Sequence, residues 1–232
     1  MPQCPNVVFI YADDIGYGDL SCNGSKTINT PNVQRMATEG VRFTNAHSAA
    51  ATSTPSRYAM LTGEYAWRRE GTGIADGDAG MIIRPEQYTM ADMFKSAGYA
   101  TAAIGKWHLG WDWTHKEGKA KTVDNIGFTK RVANGPTDRG FDYFYGLTSP
   151  SGPPYLYMVN DMAEKQPNTR FEESGGGLYK IKGGIGHSDW SADGMQPHLA
   201  DKMLEYLDEN KDSDKPFFLY MALTAPHIPL FP

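Results

Sequence analysis

The sequence predicts an α/β fold in which a mostly parallel central sheet is flanked by helices. Segments typical of buried strands alternate along the chain with segments that carry helix start and stop signals, as expected for such a sheet. The chain has 232 residues, 40% of them hydrophobic, so it can bury a sizeable core. Polar residues directly follow three of the four predicted strands, where ligands of parallel sheets bind.

The predicted strands are short apolar runs rich in β-branched and aromatic residues. The first run, Val-Val-Phe-Ile-Tyr-Ala, lies between Pro5 and the pair Asp13-Asp14 and is typical of a buried strand. The predicted strands span residues 7–12, 41–47, 99–104 and 217–223.

Helix boundaries are indicated by capping residues and by terminal glycines. A Thr-Pro pair supplies an N-cap followed by a proline that suits the first turn, and a Thr with an Asp three residues later forms a capping box. The predicted helices run from Thr30-Pro31 to Gly40, from Thr54-Pro55 to Gly63, from Thr89 with Asp92 to Gly98, and over about 196–209.

The segment from about 111 to 195 is rich in glycine, proline, asparagine and charged residues and has no sustained helical period. We expect it to form long loops that face the substrate, because functional loops extend from a rigid scaffold. No second domain is predicted within the chain.

Charge and the length of the apolar runs argue against nucleic-acid binding and against a membrane span. The 22 basic and 27 acidic side chains give a net charge of −5, and no dense block of Lys and Arg occurs, so we predict no binding to nucleic acid. The longest apolar runs are far shorter than the roughly 18 residues that a transmembrane helix needs, so no membrane span is predicted.

Two adjacent carboxylates, Asp13 and Asp14, follow the first predicted strand. Holding two carboxylates together is unfavourable unless a cation neutralises them, and oxygen ligands suit calcium or magnesium. Taken alone, the pair is also compatible with a solvated turn or with helix-capping residues.

Basic groups follow two other predicted strands. Lys106 and His108 are two residues apart, so on extended chain they point to the same side, and a fixed cation beside an imidazole suits an anionic substrate. His227 lies between Pro226 and Pro229, which restrict the backbone at a strand exit. The alternatives are a surface pair for Lys106 and His108, and for His227 a loop histidine that bonds a local carbonyl.

Ser53 lies just before the first turn of the second predicted helix, where free N–H groups favour an anion; a plain N-cap is the alternative. The string from Ser53 to Gly63, Ser-Thr-Pro-Ser-Arg-Tyr-Ala-Met-Leu-Thr-Gly, resembles the signature of the sulfatase family, in which the first residue is oxidised to formylglycine. Other motifs of that family stand in the same order along the chain. They are Ala12-Asp-Asp-Ile-Gly-Tyr-Gly-Asp19, Gly105-Lys-Trp-His-Leu-Gly110, Arg139-Gly-Phe-Asp-Tyr-Phe-Tyr-Gly146 and Ala225-Pro-His-Ile-Pro229.

The resemblance covers almost the whole chain and implies a sulfuric ester hydrolase with the sulfatase fold of the alkaline-phosphatase superfamily. It further implies that Asp13, Asp14 and residue 53 bind a divalent metal ion, calcium with magnesium as the alternative. In the implied reaction, a hydroxyl of the hydrated formylglycine attacks sulfur, and the second hydroxyl then expels sulfate.

The resemblance also assigns the basic residues. Arg57 would stabilise the formylglycine, and Lys106 would bind a sulfate oxygen. His108 would accept a proton during the release of sulfate, and His227 would protonate the leaving oxygen, tasks that suit groups titrating near neutrality.

Two departures from the family pattern bear on this assignment. Most members have cysteine at the position of Ser53; serine resembles bacterial members matured by a radical enzyme, and an engineered replacement of cysteine would look the same. Members also continue beyond His227 with an Asp-Asn pair, a further lysine and a small C-terminal domain. Residues 1–232 are therefore expected to be the N-terminal portion of the catalytic domain. The alternatives are a phosphate-ester hydrolase that uses unmodified Ser53, or an inactive truncated fragment.

Aromatic residues in the loop-rich segment suit stacking on a sugar, so a sulfated carbohydrate is the expected substrate; the alternative is that they pack beneath long loops. His187 and Asp189 are predicted to contact the leaving group. The expected partners are a sulfated small molecule or glycan and a formylglycine-generating maturation enzyme. The expected location is the periplasm or exterior of a bacterium, after loss of a signal peptide. The aromatic residues that suit stacking on a sugar are Trp111, Trp113, Tyr143, Tyr155, Tyr157 and Trp190.

Overall fold

A computed structural model describes residues 4–230, which are organised around a mixed sheet. In chain order the strands are β1 (Val7–Tyr11), β2 (Ala100–Lys106), β3 (Tyr143–Leu147), β4 (Met158–Val159), β5 (Met162–Ala163), β6 (Thr169–Phe171), β7 (Gly184–Gly186) and β8 (Phe217–Ala222). The α-helices of the same residues are α1 (Pro31–Glu39), α2 (Ser53–Thr62), α3 (Met90–Ser96) and α4 (Ala192–Asn210).

The main sheet has the strand order β1-β8-β2-β3-β4-β5. Its first four strands pair in parallel, whereas β4 and β5 add an antiparallel hairpin at one edge. Strands β6 and β7 form a separate antiparallel pair. The predicted α/β class with a mostly parallel sheet is therefore confirmed, and the carboxyl ends of β1, β8, β2 and β3 meet at one edge.

Helices cover both faces of the sheet because alternate strand residues point to opposite sides. On β2, Ala103 belongs to a core with Tyr58 of α2 and Ala91 of α3. Its neighbour Ile104 belongs to a second core with Leu199 of α4. The sheet is thus buried between two helical layers, which fixes the positions of its strand ends.

The helix signals were largely correct. The predicted capping box of α3 is present, since Thr89 Oγ1 accepts a hydrogen bond from Asp92 N at 3.1 Å and Thr89 N donates to Asp92 Oδ2 at 2.9 Å. Helix α2 begins one residue earlier than predicted, at Ser53. Helix α4 begins at Ala192, four residues before the predicted 196, because Ser191 caps it by accepting from Gly194 N at 3.1 Å.

One strand prediction was wrong, and five strands were not predicted. Residues 41–47 form no strand, and Val41 and Phe43 are exposed there because no neighbouring strand pairs with this run. The segment 111–195, predicted to consist of loops, contains the core strand β3 as well as β4 to β7.

Three of the aromatic residues proposed as sugar platforms pack inside the protein instead. Trp111, Tyr155 and Trp190 are buried, and the rings of Tyr155 and Trp190 lie 4.4 Å apart. The alternative, that these side chains pack beneath the long loops, is the correct one for them.

None of the helices in residues 4–230 has the length and apolar character needed to cross a membrane.

Gly105, next to the end of β2, needs to be glycine. Its φ is +120°, a region that other residues rarely adopt, and a Cβ there would lie 1.9 Å from the Ala222 carbonyl oxygen in β8. We expect Gly105→Ala to lower the free energy of unfolding by more than about 1 kcal/mol in urea denaturation. The control is Gly176→Ala, which has open space around it. Equal stability of the two variants would contradict this steric argument.

Candidate active site

Ser53 is the first residue of α2 and is buried at the carboxyl edge of the sheet. Its Oγ accepts a hydrogen bond from Arg57 Nε at 3.0 Å and lies 3.0 Å from His108 Nδ1. Arg57 reaches Ser53 because residues four apart share one face of a helix. The capping position belongs to Thr52, so Ser53 is not a plain N-cap.

His108 follows β2 and is held in one tautomer. Its Nε2 lies 2.9 Å from the Ala75 carbonyl oxygen, which can only accept, so Nε2 carries the hydrogen and Nδ1 is free to accept from the Ser53 hydroxyl. Thr54 Oγ1 reinforces this arrangement by donating to the His108 carbonyl at 2.9 Å and accepting from Ala75 N at 3.1 Å. Burial, together with the charges of Lys106 and Arg57, lowers the pKa of His108 to about 3.

This pKa predicts a pH-dependent contribution to stability. The imidazole of an unfolded chain has a pKa of about 6.5, so between pH 6.5 and 3 the unfolded chain takes up a proton that folded His108 does not. The free energy of unfolding therefore falls as the pH falls through this window. We expect the stability difference between the wild type and His108→Gln to decrease from pH 6.5 to about 4, measured in urea with a chelator present. Parallel stability curves would contradict the lowered pKa.

A buried ion cluster lies beside Ser53. Asp13 follows β1, and its Oδ2 is 2.5 Å from Lys106 Nζ at the end of β2, while its Oδ1 is 3.3 Å from Arg57 Nη2. Burial opposes ionisation of Asp13, but the charges of Lys106 and Arg57 outweigh it and hold its pKa below the usual value. Burial lowers the pKa of Lys106 to about 8 although Asp13 raises it. Since Lys106 is 0% exposed, the surface-pair alternative is wrong for it.

Arg57 is fixed by groups from three strands or strand ends. Its Nη1 donates to the Lys106 carbonyl at 3.1 Å and to Tyr220 Oη of β8 at 3.0 Å, and its guanidinium lies 5.4 Å from the centre of the Tyr11 ring of β1. Two cations thus face one carboxylate in this cluster, which leaves one net positive charge behind Ser53.

Asp14 and His227 lie at the open side of the site. Asp14 has a φ of +66° and is half exposed, and its Oδ2 lies 3.7 Å from His227 Nε2. His227 Nδ1 donates to the Ile228 carbonyl, so the predicted alternative of a bond to a local carbonyl is present. That bond leaves Nε2 directed to the side of Asp14.

Four of the predicted residues, Ser53, His108, Asp14 and His227, line one cavity of about 320 Å³. An adjoining cavity of about 260 Å³ is lined by Asp13, Asp14 and Ser53. The structure therefore brings together the ends of β1, β2 and β8 with the start of α2.

Several lining residues of the larger cavity were not identified from the sequence. Ser149 and Ser151 follow β3, and Asp76 and Lys182 come from loops. The serines would have been candidates had β3 been recognised, because they continue from its carboxyl end. Lys182 had no such signal in the sequence.

His187 and Asp189 lie elsewhere. They line a different cavity of about 430 Å³, together with Trp190 and His198. Asp189 forms an ion pair with Lys165, and its N–H donates to His187 Nδ1 at 3.1 Å. The structure does not place either residue in the wall of the 320 Å³ cavity that Ser53 and His108 line, called the Ser53 cavity from here on.

The oxygen donors of Asp13, Asp14 and Ser53 converge on the smaller cavity and suit a hard cation. Within residues 4–230, no group of three or more His, Cys, Asp or Glu side chains is placed to hold a metal ion. These three residues therefore fit part of a metal site that needs further donors.

Comparisons with known proteins identify the class to which this fold and site belong. A family model described as Sulfatase matches residues 5–232, so the chain belongs to the sulfatase family. Sulfatases use a formylglycine and a divalent metal ion.

Two relatives and one solved structure illustrate the similarity. An N-acetylgalactosamine-6-O-sulfatase of Bacteroides thetaiotaomicron is 36% identical, over 99% of this chain and 50% of the relative. Arylsulfatase G of Rattus norvegicus is 32% identical, over 97% of this chain and 42% of the relative. A solved structure from work on glycosaminoglycan metabolism by Bacteroides thetaiotaomicron has a TM-score of 0.81 and 32% identity, over 98% of this chain and 52% of its own. The chain thus spans about half the length of these proteins.

Proposed function

We propose that this chain carries the nucleophile and the basic residues of a sulfuric ester hydrolase that removes sulfate from a sulfated carbohydrate. The observation that carries the proposal is the contact of Ser53 Oγ with both Arg57 Nε and His108 Nδ1 at the wall of an open cavity. These residues stand in the motifs that the family uses for this purpose.

Residue 53 is proposed to be oxidised to formylglycine by a maturation enzyme. Addition of water to the aldehyde gives two hydroxyls, one that attacks sulfur and a second whose deprotonation expels sulfate. His108 is suited to accept the proton of a hydroxyl at residue 53, because its neutral Nδ1 already faces that position. Arg57 orients the same oxygen through Nε and contributes positive charge.

Lys106 is proposed to bind a sulfate oxygen. With Arg57 it exceeds the charge of Asp13 by one, and this net positive charge favours a bound sulfate. His227 is proposed to protonate the leaving oxygen, because its Nε2 is the ring atom left free by the bond to Ile228.

Asp13, Asp14 and residue 53 are proposed to hold a calcium ion, or magnesium as the alternative, together with donors from outside residues 4–230. The ion would supply Lewis-acid polarisation of the sulfate group.

The substrate class follows from the relatives. One is named for the 6-sulfate of N-acetylgalactosamine, and the solved structure concerns glycosaminoglycans. We therefore propose a sulfated glycan as substrate and a periplasmic or secreted location in a bacterium.

The test is mass spectrometry of the tryptic peptide from Phe43 to Arg57, taken from protein made in its native host. A loss of two hydrogens at Ser53, with sulfate release from N-acetylgalactosamine 6-sulfate, is expected. An unmodified Ser53 with release of phosphate from phosphate esters would instead favour the phosphate-ester hydrolase.

A further inference from the structure

Lys182 is a cation in the wall of the Ser53 cavity that the proposed chemistry does not use. Of the side chains that line this cavity in the described part of the chain, it is the only lysine or arginine. Within residues 4–230, its side chain is exposed and makes no ion pair or hydrogen bond.

The backbone around Lys182 is firmly held. Its carbonyl accepts a hydrogen bond from Tyr155 Oη at 2.7 Å, and Tyr155 N donates to Ile185 O at 3.0 Å. Tyr155 is itself buried, so this anchor is rigid. Two residues after Lys182, a Cβ on Gly184 would lie 2.4 Å from Pro153 Cβ, which shows how closely this segment packs on the neighbouring loop. The backbone of Lys182 is therefore held in place at the cavity wall.

The charged groups around the cavity are the carboxylates of Asp14 and Asp76 in its wall, the cations behind Ser53, and Lys182. Lys106 and Arg57 are bonded to Asp13 and lie behind Ser53, where the scissile sulfate is proposed to bind. Lys182 lies on a different element, the loop before β7, and no carboxylate of residues 4–230 pairs with it. An unpaired ammonium in the wall of a cavity is available to form a charge-assisted hydrogen bond with an anionic group of a ligand.

The same cavity also contains polar groups suited to sugar hydroxyls. Asp76 and the serines Ser149 and Ser151 line it with oxygen atoms that accept hydrogen bonds. The combination of hydroxyl-binding oxygens and one unpaired cation fits a saccharide that carries a further negative charge.

We propose that Lys182 is a specificity-determining residue that binds a second anionic group of the substrate, a carboxylate or a second sulfate ester, close to the sulfate that is removed. This inference rests on the proposed function and narrows its substrate class to saccharides with an additional acidic substituent.

The test compares three substrates with the full-length protein. They are N-acetylgalactosamine 6-sulfate, the same sugar linked to a uronic acid, and its 4,6-disulfate. We expect Lys182→Met to lower kcat/KM by roughly 10- to 100-fold on one or both of the doubly anionic substrates and by less than about twofold on the first, as for loss of a charge-assisted hydrogen bond. Which of the two substrates is affected distinguishes a carboxylate from a sulfate. Lys182→Arg should retain most of the preference.

The matched control is Lys180→Met on the same loop, because Lys180 Nζ is paired with Glu173 at 3.0 Å and does not line the cavity. It should leave all three values unchanged. An equal decrease on all three substrates in Lys182→Met would assign the lysine to the scissile sulfate or to folding and would overturn the proposal, as would no change on any of them.

A binding measurement separates this inference from the proposed function. Calorimetry with the desulfated products does not need turnover. If the wild type releases no sulfate, that result counts against the proposed function alone. The calorimetric test of Lys182 remains informative in that case. Lys182→Met should weaken binding of an acidic product by about tenfold or more and leave binding of N-acetylgalactosamine unchanged. Equal affinities of the wild type and the variant for every acidic product would overturn the role of Lys182.

Discussion

Replacing Ser53 by alanine is expected to reduce sulfate release by roughly 10⁶-fold, the size of effect seen when a covalent nucleophile is deleted. Alanine has no oxygen for Arg57 and His108 to contact and cannot be oxidised to formylglycine. The measurement is kcat on a sulfated sugar in the full protein, alongside circular dichroism to establish folding.

The matched control for this substitution is Thr62→Ala in the last turn of α2. Thr62 loses a hydroxyl of the same kind, but its Oγ1 donates only to the Tyr58 carbonyl of its own helix, at 2.7 Å. We expect activity close to that of the wild type. Comparable activity of Ser53→Ala and Thr62→Ala would refute the assignment of Ser53 as nucleophile.

Replacing Lys106 by methionine is expected to lower the free energy of unfolding by about 1 to 3 kcal/mol, because it removes the shorter hydrogen bond of the buried Asp13 carboxylate. Asp13 would retain only the longer contact to Arg57, at 3.3 Å. The measurement is urea denaturation near pH 7 with a chelator present, so that metal binding does not contribute.

An exposed ion pair provides the comparison. Lys95 Nζ lies 2.7 Å from Asp142 Oδ1, with about half of the lysine side chain exposed, and Lys95→Met should cost less than about 1 kcal/mol. The double variant Asp13→Asn/Lys106→Met should be no more stable than Lys106→Met, because it leaves the buried Arg57 guanidinium without its carboxylate partner. If Lys106→Met is no less stable than Lys95→Met, the cluster does not contribute in the way its burial indicates.

The sequence predicted the parts of this fold that depend on local signals. Thr89 and Asp92 are only three residues apart in the chain and form the predicted capping box. Runs of buried strand residues likewise identified β1, β2 and β8 to within a few residues. The motifs also predicted that Ser53, His108 and Asp14 belong to one site, and all three line the same cavity.

Features that depend on distant partners were not predictable in this way. Strand β3 was missed because its Tyr-Phe-Tyr-Gly-Leu run contains Gly146, whose place is explained only by β2: a Cβ there would lie 1.9 Å from the Gly105 carbonyl oxygen. Residues 41–47 have strand-like composition but no strand beside them. The burial of Lys106 likewise depends on Asp13, which is 93 residues away in the chain.

The hydrogen bond from His108 Nε2 to Ala75 has an evolutionary consequence. The acceptor is a backbone carbonyl, which every amino acid possesses, so the orientation of the proton-accepting nitrogen does not depend on any particular side chain in that loop. Ile74 and Asp76, on either side of Ala75, are exposed and line the same cavity. Substitutions at these two positions can therefore reshape the cavity wall while His108 keeps its tautomer, so the wall of the cavity and the orientation of the imidazole can change independently.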